Sequence, residues 1–86
     1  MAFPEIIKIT EAGRKSLKKL PPQVRLRILR KLAEYNEKPE LSAQDIKKLM
    51  DTHPARYRVR IGDYRAVGTL DGEKLLLHSF VDRKNL

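Results

Sequence analysis

Cysteine and tryptophan are both missing from this chain of 86 residues. The first absence excludes disulfides, thiolate nucleophiles and zinc-ribbon sites. Long apolar runs are missing too: the longest, Leu75-Leu76-Leu77, is far too short to cross a bilayer. The N-terminal stretch shows no basic flank followed by an apolar core, so a cytoplasmic, membrane-free setting is the expectation. No repeat, low-complexity tract or linker divides residues 1–86, which read as a single domain. Acidic residues are in short supply, with 11 Asp and Glu against 19 Lys and Arg, leaving a formal charge of +8. An excess of that size points to nucleic acid or another polyanion as partner. A chain this short buries only about 60–65% of its unfolded surface, too little for a deep enclosed pocket. The site is therefore expected to be open, with no enclosed cofactor.

What the chain does have is a run of arginines alternating with apolar residues, Arg56-Tyr57-Arg58-Val59-Arg60-Ile61-Gly62-Asp63-Tyr64-Arg65-Ala66. The pattern predicts a β-hairpin closed by Gly62-Asp63 in a type II′ turn, with Ile61 opposite Tyr64 and Arg60 opposite Arg65. A side-chain period of two then puts Arg56, Arg58, Arg60 and Arg65 on one face. Tyr57, Val59, Ile61, Tyr64 and Ala66 fall on the other. Like charges facing each other across a ladder cost up to roughly 1 kcal/mol, so stability alone does not select this arrangement. Converging guanidinium forks suit phosphate oxygens.

Around the hairpin the spacing predicts an α+β fold. Ile6, Ile7 and Ile9 read as a first strand, closed by Thr10 at a helix start. Ala12, Leu17 and Leu20 mark a short helix that Pro21-Pro22 ends, and Val24, Ile28, Leu29, Leu32 and Tyr35 mark an amphipathic helix over 22–37. Ser42 is placed as the cap of a third helical turn containing Ala43, Ile46 and Leu49, with Lys47 and Lys48 at its end. Residues 50–54 read as a loop. Asp71-Gly72 is placed as a second tight turn before a last strand, 74–81. The order is β-α-α-β-β-β, a helical hairpin packed on one face of a small, mostly antiparallel sheet. The expected core is Ile7, Ile9, Leu17, Leu20, Val24, Ile28, Leu32, Tyr57, Val59, Ile61, Tyr64, Leu75 and Leu77.

Three segments, Lys19-Leu20-Pro21 between the helices, Lys47-Lys48-Leu49, and Tyr57 to Arg65, together with the basic end Val81-Asp82-Arg83-Lys84, make the chain resemble the RelE/ParE toxin superfamily of toxin–antitoxin systems. The likeness spans nearly the whole chain. In the RelE branch it implies a metal-independent endoribonuclease that cleaves messenger RNA in the ribosomal A site and so arrests translation and growth. In the ParE branch it implies a DNA gyrase inhibitor. Both branches imply a cognate antitoxin, with a complex that binds operator DNA. The arginines of the hairpin favour the RelE branch. A basic nucleic-acid-binding relative with weak or no catalysis is the remaining alternative.

Metal-free RNA cleavage proceeds by attack of a 2′-hydroxyl on its own phosphate, which requires a base, charge stabilisation at phosphorus and an acid for the leaving oxygen. The resemblance places Arg65 and Arg83 at phosphate-contacting positions, with Arg58 and Arg60 beside them. Lys47, Lys48, Arg56 and Lys84 are added as RNA-binding residues. Arginine stays protonated and is a poor base. The family pattern places lysines where Arg58 and Arg60 stand, and a tyrosine beyond the terminal arginine, which this sequence lacks. His78 is the candidate substitute. Pairing Leu70 with Glu73 across the last turn sets it opposite Arg65. His53, before Pro54, is the lesser candidate. Asp82 is read either as an ion partner of Arg83 or as a cap.

Overall fold

A computed structural model describes residues 6–42, 44–50 and 55–85. In chain order these form β1 (Ile6–Ile9), α1 (Glu11–Lys18), α2 (Pro22–Glu37), a 3-10 turn (Pro39–Ser42), β2 (Ile46–Met50), β3 (Arg56–Ile61), β4 (Tyr64–Asp71), β5 (Lys74–Asp82) and a closing 3-10 turn (Arg83–Asn85). The strands make one sheet in the order β1-β5-β4-β3-β2. β1 lies parallel to β5, and every other pair is antiparallel.

Local chemistry accounts for the helix ends. The Thr10 hydroxyl accepts the Gly13 N–H at 3.1 Å, capping α1. Pro22 occupies the first turn of α2, where a missing N–H costs nothing. Helices and sheet close over Ile7, Leu17, Ile28, Leu32, Tyr35, Ile46, Val59, Ile61, Ala66, Leu75, Leu77 and Phe80. Ile9, Leu20, Val24, Tyr57 and Tyr64 pack against this core half-buried. Leu29 does not join it: it is 45% exposed, turned away from the stripe that carries Ile28 and Leu32.

The predicted third helical turn is a strand. Ile46 pairs with Val59 and enters the core, while Leu49 is exposed and Ala43 lies outside the described residues. Local helical spacing loses here to pairing with β3, which gives the backbone groups of both strands partners and buries Ile46 beside Val59. Ser42 caps no following helix; its buried hydroxyl donates to the Pro39 carbonyl at 2.7 Å. Met50 ends the strand instead of opening a loop, and residues 51–54, with His53, lie outside the described residues.

The β3–β4 hairpin has the expected register, Ile61 with Tyr64 and Arg60 with Arg65, around Gly62 at φ 60°. The β4–β5 turn is displaced by one residue. Its central pair is Gly72-Glu73, not Asp71-Gly72, because Gly72 at φ 62° takes the first position of the turn and Asp71 pairs with Lys74. Further along, a bulge between Val67 and Gly68 shifts the register again, so that Val67 faces Ser79 and Gly68 faces Leu77.

Candidate functional site

The period of two puts Arg56, Arg58 and Arg60 on the sheet face away from the helices, with Thr69, Val67 and Arg65 as their neighbours on β4. Lys47 joins them from β2, directly opposite Arg58. The predicted cationic face is therefore real, and the extra strand widens it by one residue. Lys48 faces Tyr57 and projects to the other side of the sheet. Half-buried Val67, Leu76 and Val81 lie between the charges, so the face is mixed rather than purely basic.

At the closed end of the hairpin, each of the two facing arginines has its own acceptor. Arg65 folds back so that Nη1 donates to the carbonyls of Gly62 at 3.0 Å and Tyr64 at 2.9 Å. Arg60 turns to Asp45, donating from Nε at 3.3 Å and from Nη2 at 3.1 Å to Oδ1. The Arg60 N–H also donates to the Asp45 carbonyl at 2.8 Å. Anchoring the guanidinium groups on different acceptors relieves the repulsion expected of a facing pair. The other Asp45 oxygen, Oδ2, accepts the Tyr35 hydroxyl, joining α2 to the arginine face through one carboxylate. Burial first, then the bond to Asp45 and its negative charge, pushes the Tyr35 phenol well above the ordinary tyrosine range, against the opposing pull of Arg60.

The C-terminal turn meets the same end of the sheet. The Arg83 N–H donates to the Asp63 carbonyl at 3.0 Å, which brings Arg83 against the hairpin turn that holds Arg65. Asp82 acts as a cap: its Oδ1 accepts the Lys84 N–H at 3.0 Å. Arg60, Arg65, Arg83 and Lys84 thus gather at one end, Arg58 and Lys47 occupy the middle of the face, and Arg56 stands at the far end. That is a basic track along a twisted sheet, with its densest charge beside a tight turn.

Solved structures share this arrangement of strands and helices. A chain of the RelB-RelE antitoxin–toxin complex from Methanococcus jannaschii is 28% identical with a TM-score of 0.68, over 90% of this chain and 91% of that one. A chain of the RelBE2 toxin–antitoxin complex from Mycobacterium tuberculosis is 22% identical with a TM-score of 0.72, over 93% and 99%. The isolated RelE toxin of E. coli, 22% identical, matches with a TM-score of 0.59 over 94% and 84%. The chain has a RelE-like fold. No family model and no curated protein matches its sequence.

In this RelE-like chain His78 is not opposite Arg65. Arg65 faces Val81, three residues further along β5. Two of the three come from the displaced turn and one from the bulge. The His78 ring instead bridges two threonines, with Nε2 at 2.8 Å from Thr69 Oγ1 and Nδ1 at 3.2 Å from Thr10 Oγ1. Thr10 Oγ1 already donates to the Leu77 carbonyl at 3.2 Å, so Nδ1 is the donor toward Thr10, and in the neutral ring Nε2 accepts from Thr69. Both nitrogens are engaged within the protein, which suits a structural clamp better than a proton carrier. Sequence reasoning missed Asp45 and Tyr35, because their link to Arg60 exists only once β2 pairs with β3. Among the described residues, no three His, Cys, Asp or Glu side chains come together as a metal site.

Proposed function

We propose that this chain is the toxin of a type II toxin–antitoxin system and cleaves messenger RNA in the ribosomal A site without a metal ion. The observation that carries the reading is the convergence of Arg65 and Arg83 on the Gly62-Asp63 turn, in a fold shared with RelE chains. In this account the two guanidinium groups hold the scissile phosphate and stabilise the charge that grows on it as the 2′-hydroxyl attacks. Arg58 and Lys47 hold the neighbouring phosphates, and Arg60, tied to Asp45, steers the backbone toward the turn. With His78 clamped by two threonines, proton transfer falls to groups of the ribosome or of the RNA. A RelB-type antitoxin holds the toxin inactive, and their complex binds operator DNA.

Induction in growing cells tests the reading. Protein synthesis is expected to stop within minutes while DNA stays intact, and coexpression of the antitoxin restores growth. Double-strand DNA breaks with uninterrupted translation would replace the ribonuclease with a gyrase inhibitor. Unimpeded growth would leave only a basic RNA-binding domain.

A further inference from the structure

An acid stands within the basic track. The β2–β3 ladder pairs Lys47 with Arg58 and Ile46 with Val59. Its next step sets Asp45 across from Arg60, whose N–H donates to the Asp45 carbonyl at 2.8 Å. Two further bonds fix the residue: its own N–H donates to the Ser42 carbonyl at 2.9 Å, and Oδ2 accepts the hydroxyl of the buried Tyr35. Burial above all keeps that phenol protonated well past the ordinary tyrosine range, so the donor stays in place at every physiological pH. The carboxylate is thus aimed, and Oδ1 takes both Nε and Nη2 of Arg60, one of the edges with which a guanidinium grips phosphate. Stability does not account for the pair. The Arg60 side chain is 57% exposed, and an ion pair so open to water stabilises little. Arg65 differs: its acceptors are the uncharged carbonyls of Gly62 and Tyr64, which yield to a phosphate more readily than a carboxylate does.

We propose that Asp45 determines specificity, as an internal rival of phosphate for Arg60 that weakens the hold of the basic face on loose RNA. Discrimination between ligands often comes from a penalty built against the unwanted one. Any RNA that takes the occupied edge of Arg60 must displace Asp45, and the penalty matters most where few other contacts hold the strand. A flexible strand in solution must order itself as it binds, and the added penalty keeps it below saturation. A strand already immobilised beside the sheet has a high effective concentration and displaces Asp45 nonetheless. The chain thereby stays off bulk RNA and remains available for its target. That the immobilised strand is message in the ribosomal A site rests on the toxin reading; the rivalry for Arg60 does not.

The test titrates a fluorescein-labelled single-stranded RNA, 2′-O-methylated throughout so that it resists cleavage, with the parent chain, Asp45→Asn, Arg60→Ala and the double variant. Melting curves check that each is folded, and Asp45→Ser replaces the asparagine variant if that one melts below the assay temperature. Asp45→Asn is expected to bind at least threefold more tightly, with the slope of log K against log salt steeper by about 0.7, the increment for one more phosphate contact on a single strand. Loss of a negative charge alone would give the same gain with or without Arg60, whereas rivalry predicts a gain of less than twofold in the Arg60→Ala background. On ribosomes, polyuridylic acid added as a competitor should inhibit message cleavage by Asp45→Asn at a threefold or more lower concentration than it inhibits the parent, each relative to its own uninhibited rate. Unchanged or weaker RNA binding by Asp45→Asn, an equal gain in the Arg60→Ala background, or equal sensitivity to the competitor overturns the proposal. Any of these results from a parent that cuts message would refute the rivalry and spare the toxin reading. A parent that leaves message intact, with the binding cycle as expected, would do the reverse.

Discussion

Replacing Gly13 by alanine sets helix propensity against packing, and the structure decides the sign. In an isolated helix the change stabilises by about 1 kcal/mol. Here a Cβ at residue 13 would lie 2.3 Å from the Leu77 carbonyl oxygen and 2.8 Å from Ile9 Cγ2. A backbone oxygen inside a sheet cannot swing aside, so α1 must withdraw from β5. Withdrawal strains the bonds that moor it, from the Thr10 N–H to the Leu77 carbonyl at 3.1 Å and between the Ser16 hydroxyl and the Phe80 N–H at 2.9 Å and carbonyl at 3.2 Å. At about 0.5–1.5 kcal/mol each, these losses and the contact itself outweigh the propensity gain. Gly13→Ala is predicted to destabilise by about 2–4 kcal/mol, read as a fall in urea midpoint at unchanged m-value. For a domain of this size that lowers Tm by roughly 10–25 °C. Ser16→Ala, which removes the mooring bonds without the clash, should cost about 1–2 kcal/mol. A Gly13→Ala variant as stable as the parent would refute the close docking of α1 on β5.

Other consequences are independent of that contact. Tyr35→Phe removes the donor to a half-buried Asp45 carboxylate and should destabilise by about 1.5–3 kcal/mol at neutral pH. Because the fold favours the neutral phenol, Tyr35 contributes fully below about pH 10, and its contribution falls as the pH rises beyond that value. The difference in stability between parent and Tyr35→Phe should therefore shrink in alkaline urea titrations. Asp45→Asn weakens the partly exposed pair with Arg60, costing about 1 kcal/mol or less from that contact, and frees the guanidinium for phosphate. Tighter RNA binding with a steeper salt dependence by fluorescence anisotropy would bear this out, and weaker binding would show that Asp45 positions Arg60 for RNA. His78→Gln should lower Tm while leaving the pH dependence of cleavage unchanged, since the ring is held by Thr10 and Thr69.

Much of this was legible from residue order because the signals were local. The two-residue Gly62 turn set the hairpin register, alternation sorted Arg58 from Val59, and Pro21-Pro22 divided the helices. Where a long-range partner decided the outcome, local reading failed. Residues 46–50 carry apolar spacing compatible with a helical turn, yet pairing with β3, which joins Ile46 to Val59 and Lys47 to Arg58, takes them as a strand. Bulges have no reliable sequence mark, so the extra residue on β5 between Leu77 and Ser79, added to the displaced β4–β5 turn, moves His78 away from Arg65. Helical spacing groups Leu29 with the apolar face of α2 beside Ile28 and Leu32, and only the packed structure shows that the sheet leaves it exposed.

Primer extension on a defined message in a reconstituted translation reaction tests the central claim most directly. The parent chain should cut the message only when ribosomes are present. Arg65→Ala and Arg83→Ala, confirmed as folded by their melting curves, should each slow cleavage by roughly 10²–10³-fold, the scale for losing one donor to a developing oxyanion. Cleavage that persists at the parental rate in both variants, or a message left intact by the folded parent on ribosomes, would contradict the assignment of RNA cleavage to this end of the sheet.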